Sequence, residues 1–162
     1  MNCYDLHKDV FPSRLLVTFI KDDEKYAFTI GVGMFSMPNA DRYYPDYEDY
    51  ARCEFAIHYP LDTLSEEEEM DLYASLAGLC GLPWHDIDCV GHGHTMDIAV
   101  KGRQHCILLD DDASSHPLPL SIKEDKVHLY WLKTITAEVL RLTKAEEAKE
   151  ALLTSLCQDS SL

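Results

Sequence analysis

Gly91-His92-Gly93-His94-Thr95, running into Met96-Asp97-Ile98-Ala99-Val100, sets the reading of the chain. Two glycines within three residues suit a tight turn, because glycine reaches positive φ at no steric cost. The run that follows alternates, with Met96, Ile98 and Val100 apolar between Thr95, Asp97 and Ala99. That period predicts a half-buried strand, His94 on its apolar parity and Thr95 on the other face. Lys101-Gly102-Arg103 then reads as a turn into Gln104-His105-Cys106-Ile107-Leu108-Leu109, the hairpin partner.

Upstream lies a helix with a clear start. Ser65-Glu66-Glu67-Glu68 is a capping box, and the glutamates Glu66 to Glu69 sit at the positive end of the helix dipole. The acidic run therefore has a structural explanation before any metal or substrate reading. Leu72, Tyr73, Leu76, Leu79 and Cys80 form the core stripe, and Gly81 with Pro83 predicts the stop. Further out, Leu15 to Ile20, Tyr26 to Gly33 and Arg52 to Tyr59 read as strands. In the last of these Cys53, Phe55, Ile57 and Tyr59 share one face, Glu54 and His58 share the other, and Pro60 ends it. Met34 to Tyr50 is a loop broken by Pro38, Asn39 and Pro45 and studded with Tyr43, Tyr44, Tyr47 and Tyr50. Asp110 to Ser115 is an exposed acidic loop. Lys126 to Ile135 is apolar on nearly both parities and is expected at the centre of a sheet. Thr136-Ala137-Glu138 opens a helix, and Thr143-Lys144-Ala145-Glu146 is a second capping box where it restarts.

The totals fit one domain over residues 1–162, since a chain of this size buries roughly 70% of its unfolded surface without needing disulfides or metal. Six scattered cysteines, no C-x-x-C pair and no export signal point to free thiols and a cytoplasmic protein. No window is long and apolar enough to span a membrane. The formal charge is −15, from 14 basic and 29 acidic residues, which repels phosphate backbones and argues against nucleic acid. Such a surface keeps a small protein soluble, and it also complements a basic partner.

His85, His92 and His94 cluster near Asp86, Asp88 and Asp97, which raises a metal-dependent hydrolase using His92, His94 and Asp97 as the alternative. Against it, Gly91 and Gly93 put His92 in a turn, and no further ligand stands at a recognised spacing. Cys89 or Cys106 near His94 or His105 could supply a nucleophile, but lone cysteines on apolar strands are usually small core residues. Gly31-Val32-Gly33 lacks the third glycine of a dinucleotide loop. The expectation is no enzyme, no metal and no cofactor.

With these residues placed, the chain resembles the suppressor of fused family in its compact bacterial form. The strand from Tyr26 with its Met37-Pro38 loop, followed by Arg52-Cys53-Glu54 and an apolar strand to Pro60, resembles the family's R-x-E pattern. Gly91 to Thr95 matches its G-x-G-H-T, and Leu129 to Glu138 with the helix trailing to Leu156 looks like its C-terminal strand and helix pair. Lys133-Thr134 stands where proline is often found. The resemblance covers about residues 15–156. It implies an α+β fold, a mixed central sheet of about five to six strands with helices packed against it, that binds another protein. For compact bacterial members it implies an immunity protein that neutralises a cognate polymorphic toxin, a basic one being consistent with the charge. A general protein-binding adaptor is the other non-enzymatic expectation. Gly91, Gly93, His94, Thr95 and Glu54 are read as structural, and the partner-binding residues as Asp110, Asp111, Asp112, Tyr43, Tyr44 and Tyr47.

Overall fold

A computed structural model describes residues 2–5, 15–85, 89–99, 102–110, 120–122, 125–144 and 153–156. Among them the order is β1 (Asn2–Asp5), β2 (Leu15–Lys21), β3 (Glu24–Ile30), α1 (Tyr47–Tyr50), β4 (Cys53–Pro60), α2 (Glu66–His85), β5 (Thr95–Ala99), β6 (Arg103–Asp110), β7 (Leu120–Ile122), β8 (Asp125–Ile135) and α3 (Ala137–Thr143). The sheet runs β1-β2-β3-β4-β8-β6-β5, and β7 pairs with β8 off that path. This is the expected α+β arrangement on a mixed sheet. It is wider than expected because β1 and β7 join it, and both are too short to show an alternating pattern. β4 and β8 are parallel, Cys53 lying beside His128 and Ala56 beside Trp131, whereas the other pairs are antiparallel. Parallel neighbours need a long crossover, and α2 with the β5–β6 hairpin supplies it. The 11-residue β8 is central, as its two apolar parities predict.

Alternation then sorts the side chains. Phe55, Ile57 and Tyr59 of β4, Tyr130 and Leu132 of β8, Cys106 and Leu108 of β6 and Ile98 of β5 form one core with Leu72, Tyr73, Leu76, Leu79 and Cys80 of α2. On the other face Ile107 and Leu109 pack with Leu153, Ile135 and Leu156. β3 shows why parity alone does not choose the helix-covered face. Ala27 and Thr29 are buried at 0% and 1% exposure, while Tyr26 turns the other way. There its ring stacks on Phe19 at 4.8 Å and on His58 at 5.3 Å, so the larger apolar set finds its own cross-strand partners.

Two boundaries differ from the sequence expectation. The strand from Tyr26 does not reach Gly33: Gly31 takes φ 107°, and Val32–Met34 form a 3-10 turn. Helix α2 does not stop at Gly81 but runs through Pro83 to His85. Proline removes one backbone donor, a local cost. Burial of Leu79 and Cys80, with Leu82 and Trp84 against the same core, outweighs it. The start is as expected: Ser65 N donates to Glu68 Oε2 at 2.8 Å, and Glu68 N donates to Ser65 Oγ at 3.3 Å. Thr136 likewise caps α3 by accepting from Val139 N. The restart at Glu146 lies outside the described residues, as does Val100.

Candidate functional site

β4 and β8 begin, and β6 ends, at the same end of the sheet, which brings three loops together there. The first is organised by Glu54. Its strand position points the carboxylate away from the α2 side, and it is 8% exposed. Thr29 Oγ1 donates to Oε2 at 2.6 Å, and Gly31 N and Gly33 N donate to Oε1 at 2.8 and 3.0 Å. Burial pushes the carboxyl up from its ordinary range, and those donors hold it down in part. Arg52 Nη1 donates to the carbonyls of Gly33 and Met34 at 3.1 and 2.9 Å. The R-x-E motif thus clamps the loop after β3 from both its amides and its carbonyls.

The second loop is the glycine-histidine turn. His94 N donates to Gly91 O at 3.1 Å, and Gly93 has φ 79°, as the third position of a type II turn requires. Gly93 N and Leu108 O, then Leu108 N and His94 O, tie the turn to β6 at 2.7 and 2.9 Å. His94 Nδ1 accepts from Gly91 N at 3.2 Å, and His92 Nδ1 accepts from Asp110 N at 3.0 Å. Both rings spend their Nδ1 lone pairs on the backbone. Asp97 meets His105 Nδ1 across the hairpin at 2.6 Å. The described residues contain no group of three or more His, Cys, Asp or Glu placed to hold a metal.

The third loop is the tyrosine segment. Met37, Ala40 and Ala51 anchor it in the core, and Val90 N donates to Met37 Sδ at 3.4 Å. A Cβ at Gly91 would lie 2.2 Å from Tyr44 Oη, so the ring of Tyr44 occupies the space that the missing side chain leaves. Tyr44 stacks on Tyr50 at 4.6 Å, Tyr50 on His128 at 5.1 Å and His128 on Tyr130 at 5.7 Å. His128 is 3% exposed, and its Nδ1 donates to Asp110 Oδ2 while Nε2 donates to Asp49 O at 2.7 Å. Each ring nitrogen of this buried histidine therefore has an oxygen partner. The pair pins α1 to the sheet. Tyr43 and Tyr47 remain outside at 58% and 44% exposure.

The structure therefore brings Gly91, Gly93, His94, Tyr44 and Asp110 together, with Thr95 opening β5, while Glu54 stands at the same sheet end on the other face. It corrects the reading of Asp110 as part of an exposed loop: this residue ends β6, and its carboxylate is the partner of a buried histidine. Asp111 and Asp112 lie outside the described residues. Sequence reasoning missed His128, Tyr50 and Tyr130. The available signal was a histidine between Val127 and Leu129 in the most apolar strand, where an unpartnered imidazole would be costly. As nucleophiles the four cysteines whose side chains are described are poorly placed. Cys53, Cys80, Cys89 and Cys106 are buried free thiols, and burial pushes that of Cys106 up to about 12.

This arrangement defines an α+β domain whose loops at one sheet end are held rigidly and carry exposed aromatic rings. The family model for suppressor of fused protein matches residues 12–160, and the chain belongs to that family of protein-binding regulators. No curated protein matches it. No helix among the described residues is long and apolar enough to cross a membrane.

Proposed function

We propose that this chain is a non-enzymatic cytoplasmic immunity protein, which neutralises a basic toxin domain by gripping it with the tyrosine segment. The observation that carries this reading is the pairing of exposure with rigidity. Tyr43 and Tyr47 face solvent, yet Tyr44, Tyr50 and the His128–Asp110 pair beneath them fix the backbone that presents them. Aromatic side chains give large contact area at low entropic cost, and a pre-formed loop lowers the cost further. The charge of −15 favours a basic partner and fast association. Asp111 and Asp112 are proposed to add to that steering, while Asp110 serves from within by holding His128.

The test is co-expression with toxin candidates encoded beside the gene. The wild-type chain is expected to restore growth and to co-purify with one of them, and Tyr43→Ala with Tyr47→Ala to lose both effects. If no neighbour is toxic or bound, the immunity reading fails, and capture of a non-toxic partner would favour a plain adaptor. Asp111→Asn with Asp112→Asn is expected to slow association at low salt more than it speeds dissociation.

A further inference from the structure

The R-x-E clamp fixes more than the core requires. Val32, in the turn after β3, is fully buried and gives that turn an inward anchor. Two residues on, Met34 points outward at 58% exposure. The backbone around it is nevertheless held from both sides, by Glu54 at the amides of Gly31 and Gly33 and by Arg52 at the carbonyls of Gly33 and Met34 itself. Gly33 adds a close fit, since a Cβ there would lie 2.8 Å from Val127 Cγ1. An exposed apolar side chain gains nothing in the free protein from being held still. In a complex, a fixed backbone lowers the ordering cost of burying it. Methionine also fills irregular apolar surfaces and is enriched in interfaces.

Met34 does not stand alone. Leu15, Ile30, Met34, Tyr43, Tyr47 and Tyr50 are six of the ten large apolar side chains exposed among the described residues, and all six belong to one end of the sheet. There Leu15 opens β2 opposite Ile30, which closes β3, and β4 begins beside them. Arg52, two residues after Tyr50, reaches Met34 O at 2.9 Å and so ties the two sides of this end together. Charge names the occupant. From Asp41 to Asp49 the segment carries four carboxylates and one guanidinium. Asp41, Asp46, Glu48 and Asp49 have no cation paired with them among the described residues. A notch of about 260 Å³ is lined by Pro45, Asp46, Tyr47, Glu48 and Asp49, so the unpaired acidic residues are themselves its wall, together with an aromatic one. Such a notch complements a lysine or arginine side chain, through charge and through cation–π attraction to the ring.

We propose that Met34, presented by Arg52 and Glu54, is an apolar anchor of the surface on which a basic partner protein docks, with a lysine or arginine of that partner seated in the notch beside Tyr47. The inference rests on the reading above that the tyrosine segment grips a basic partner. It extends that surface around the end of the sheet and gives the R-x-E motif a part in binding. A standard interface takes about 800 Å² from each partner, enough to cover the sheet end from Met34 to Tyr47. Burial of Met34 supplies affinity, and the carboxylates supply orientation and rate.

The experiment uses the full chain and the proteins encoded beside its gene. A benzophenone amino acid is placed in turn at positions 34, 47, 20 and 142 and irradiated during co-expression. Ile20 and Leu142 are exposed at 60% and 45% and serve as controls away from this end. Adducts with the same neighbour from 34 and 47, and none from 20 or 142, are expected. With that neighbour purified, Met34→Ser should lower affinity about tenfold to a hundredfold at unchanged Tm, the worth of one buried apolar side chain. Arg52→Gln should lower affinity in the wild-type background and add nothing in Met34→Ser, while its effect on Tm is the same in both. An equal loss of affinity in both backgrounds would show that Arg52 is structural only. Asp46→Asn with Glu48→Gln should slow association and flatten its salt dependence, and an unchanged on-rate would remove the basic side chain from the notch. An adduct from 47 without one from 34, or a Met34→Ser variant that binds as wild type does, overturns the anchor and leaves the immunity role standing. A neighbour bound in the expected pattern but not toxic keeps the surface and removes that role, whereas no bound neighbour removes both.

Discussion

Replacing Glu54 by alanine removes the acceptor around which the loop after β3 is folded. Three donors lose their partner at once, Thr29 Oγ1 and the amides of Gly31 and Gly33. A buried donor left unsatisfied costs about 1–3 kcal/mol. Water entering the space offsets part of this, so the expected loss is about 3–5 kcal/mol, a large share of the ~5–15 kcal/mol that holds a typical domain together. In thermal terms that is a fall in Tm on the order of 10 °C for a chain of this size. Glu54→Gln separates shape from charge. One oxygen still accepts from both glycine amides, so the expected cost is only about 1 kcal/mol. The pH dependence separates them again. Burial raises the folded carboxyl above its unfolded value of 4.5, so its contribution to stability is fully present below that value and is lost as pH rises through the folded pKa. The variant lacks this loss, and the stability gap between wild type and Glu54→Gln should shift in favour of the variant from pH 4 to pH 7. Urea unfolding of the three proteins at both pH values makes the comparison. An alanine variant less than about 1 kcal/mol below wild type, or a glutamine variant as damaged as alanine, would refute the reasoning.

Gly91→Ala places a methyl where Tyr44 Oη sits, at 2.2 Å, and should cost about 1–3 kcal/mol. Adding Tyr44→Phe should restore much of that loss, and an additive double-mutant cycle would refute the contact. Asp110→Asn breaks the buried pair with His128 and should cost about 3–5 kcal/mol, with faster hydrogen exchange at the amides of Tyr47 to Tyr50 as the local signature. Unchanged exchange there would show that the pair does not hold α1. Cys106 is fully buried with its thiol pushed up to about 12, so iodoacetamide at pH 8 should label it in urea and spare it in the native protein, read by mass spectrometry.

Local chemistry in the sequence determined most of the elements. The capping box at Ser65, the alternation in β4 and β5, the glycine turn at Gly91 and the two-sided apolar run of β8 each depend on neighbours within a few residues, and each folds as its pattern implies. Two such local rules were overridden: Gly81 and Pro83 do not end α2, because the core takes up Leu82 and Trp84 beyond them. The site was less legible, since its chemistry comes from pairs far apart in the chain. Glu54 meets Thr29 across 25 positions, and His128 meets Asp49 across 79. A carboxylate such as Asp110 reads as solvated when it opens an acidic run, and only the antiparallel pairing of β6 with β8, which sets Asp110 beside Tyr130, carries His128 to it. Sequence period fixes which side chains share a face. Tertiary contact alone decides which face is covered and which buried polar groups find one another, because burial energy and hydrogen bonding act on distances in space that the chain's order does not contain.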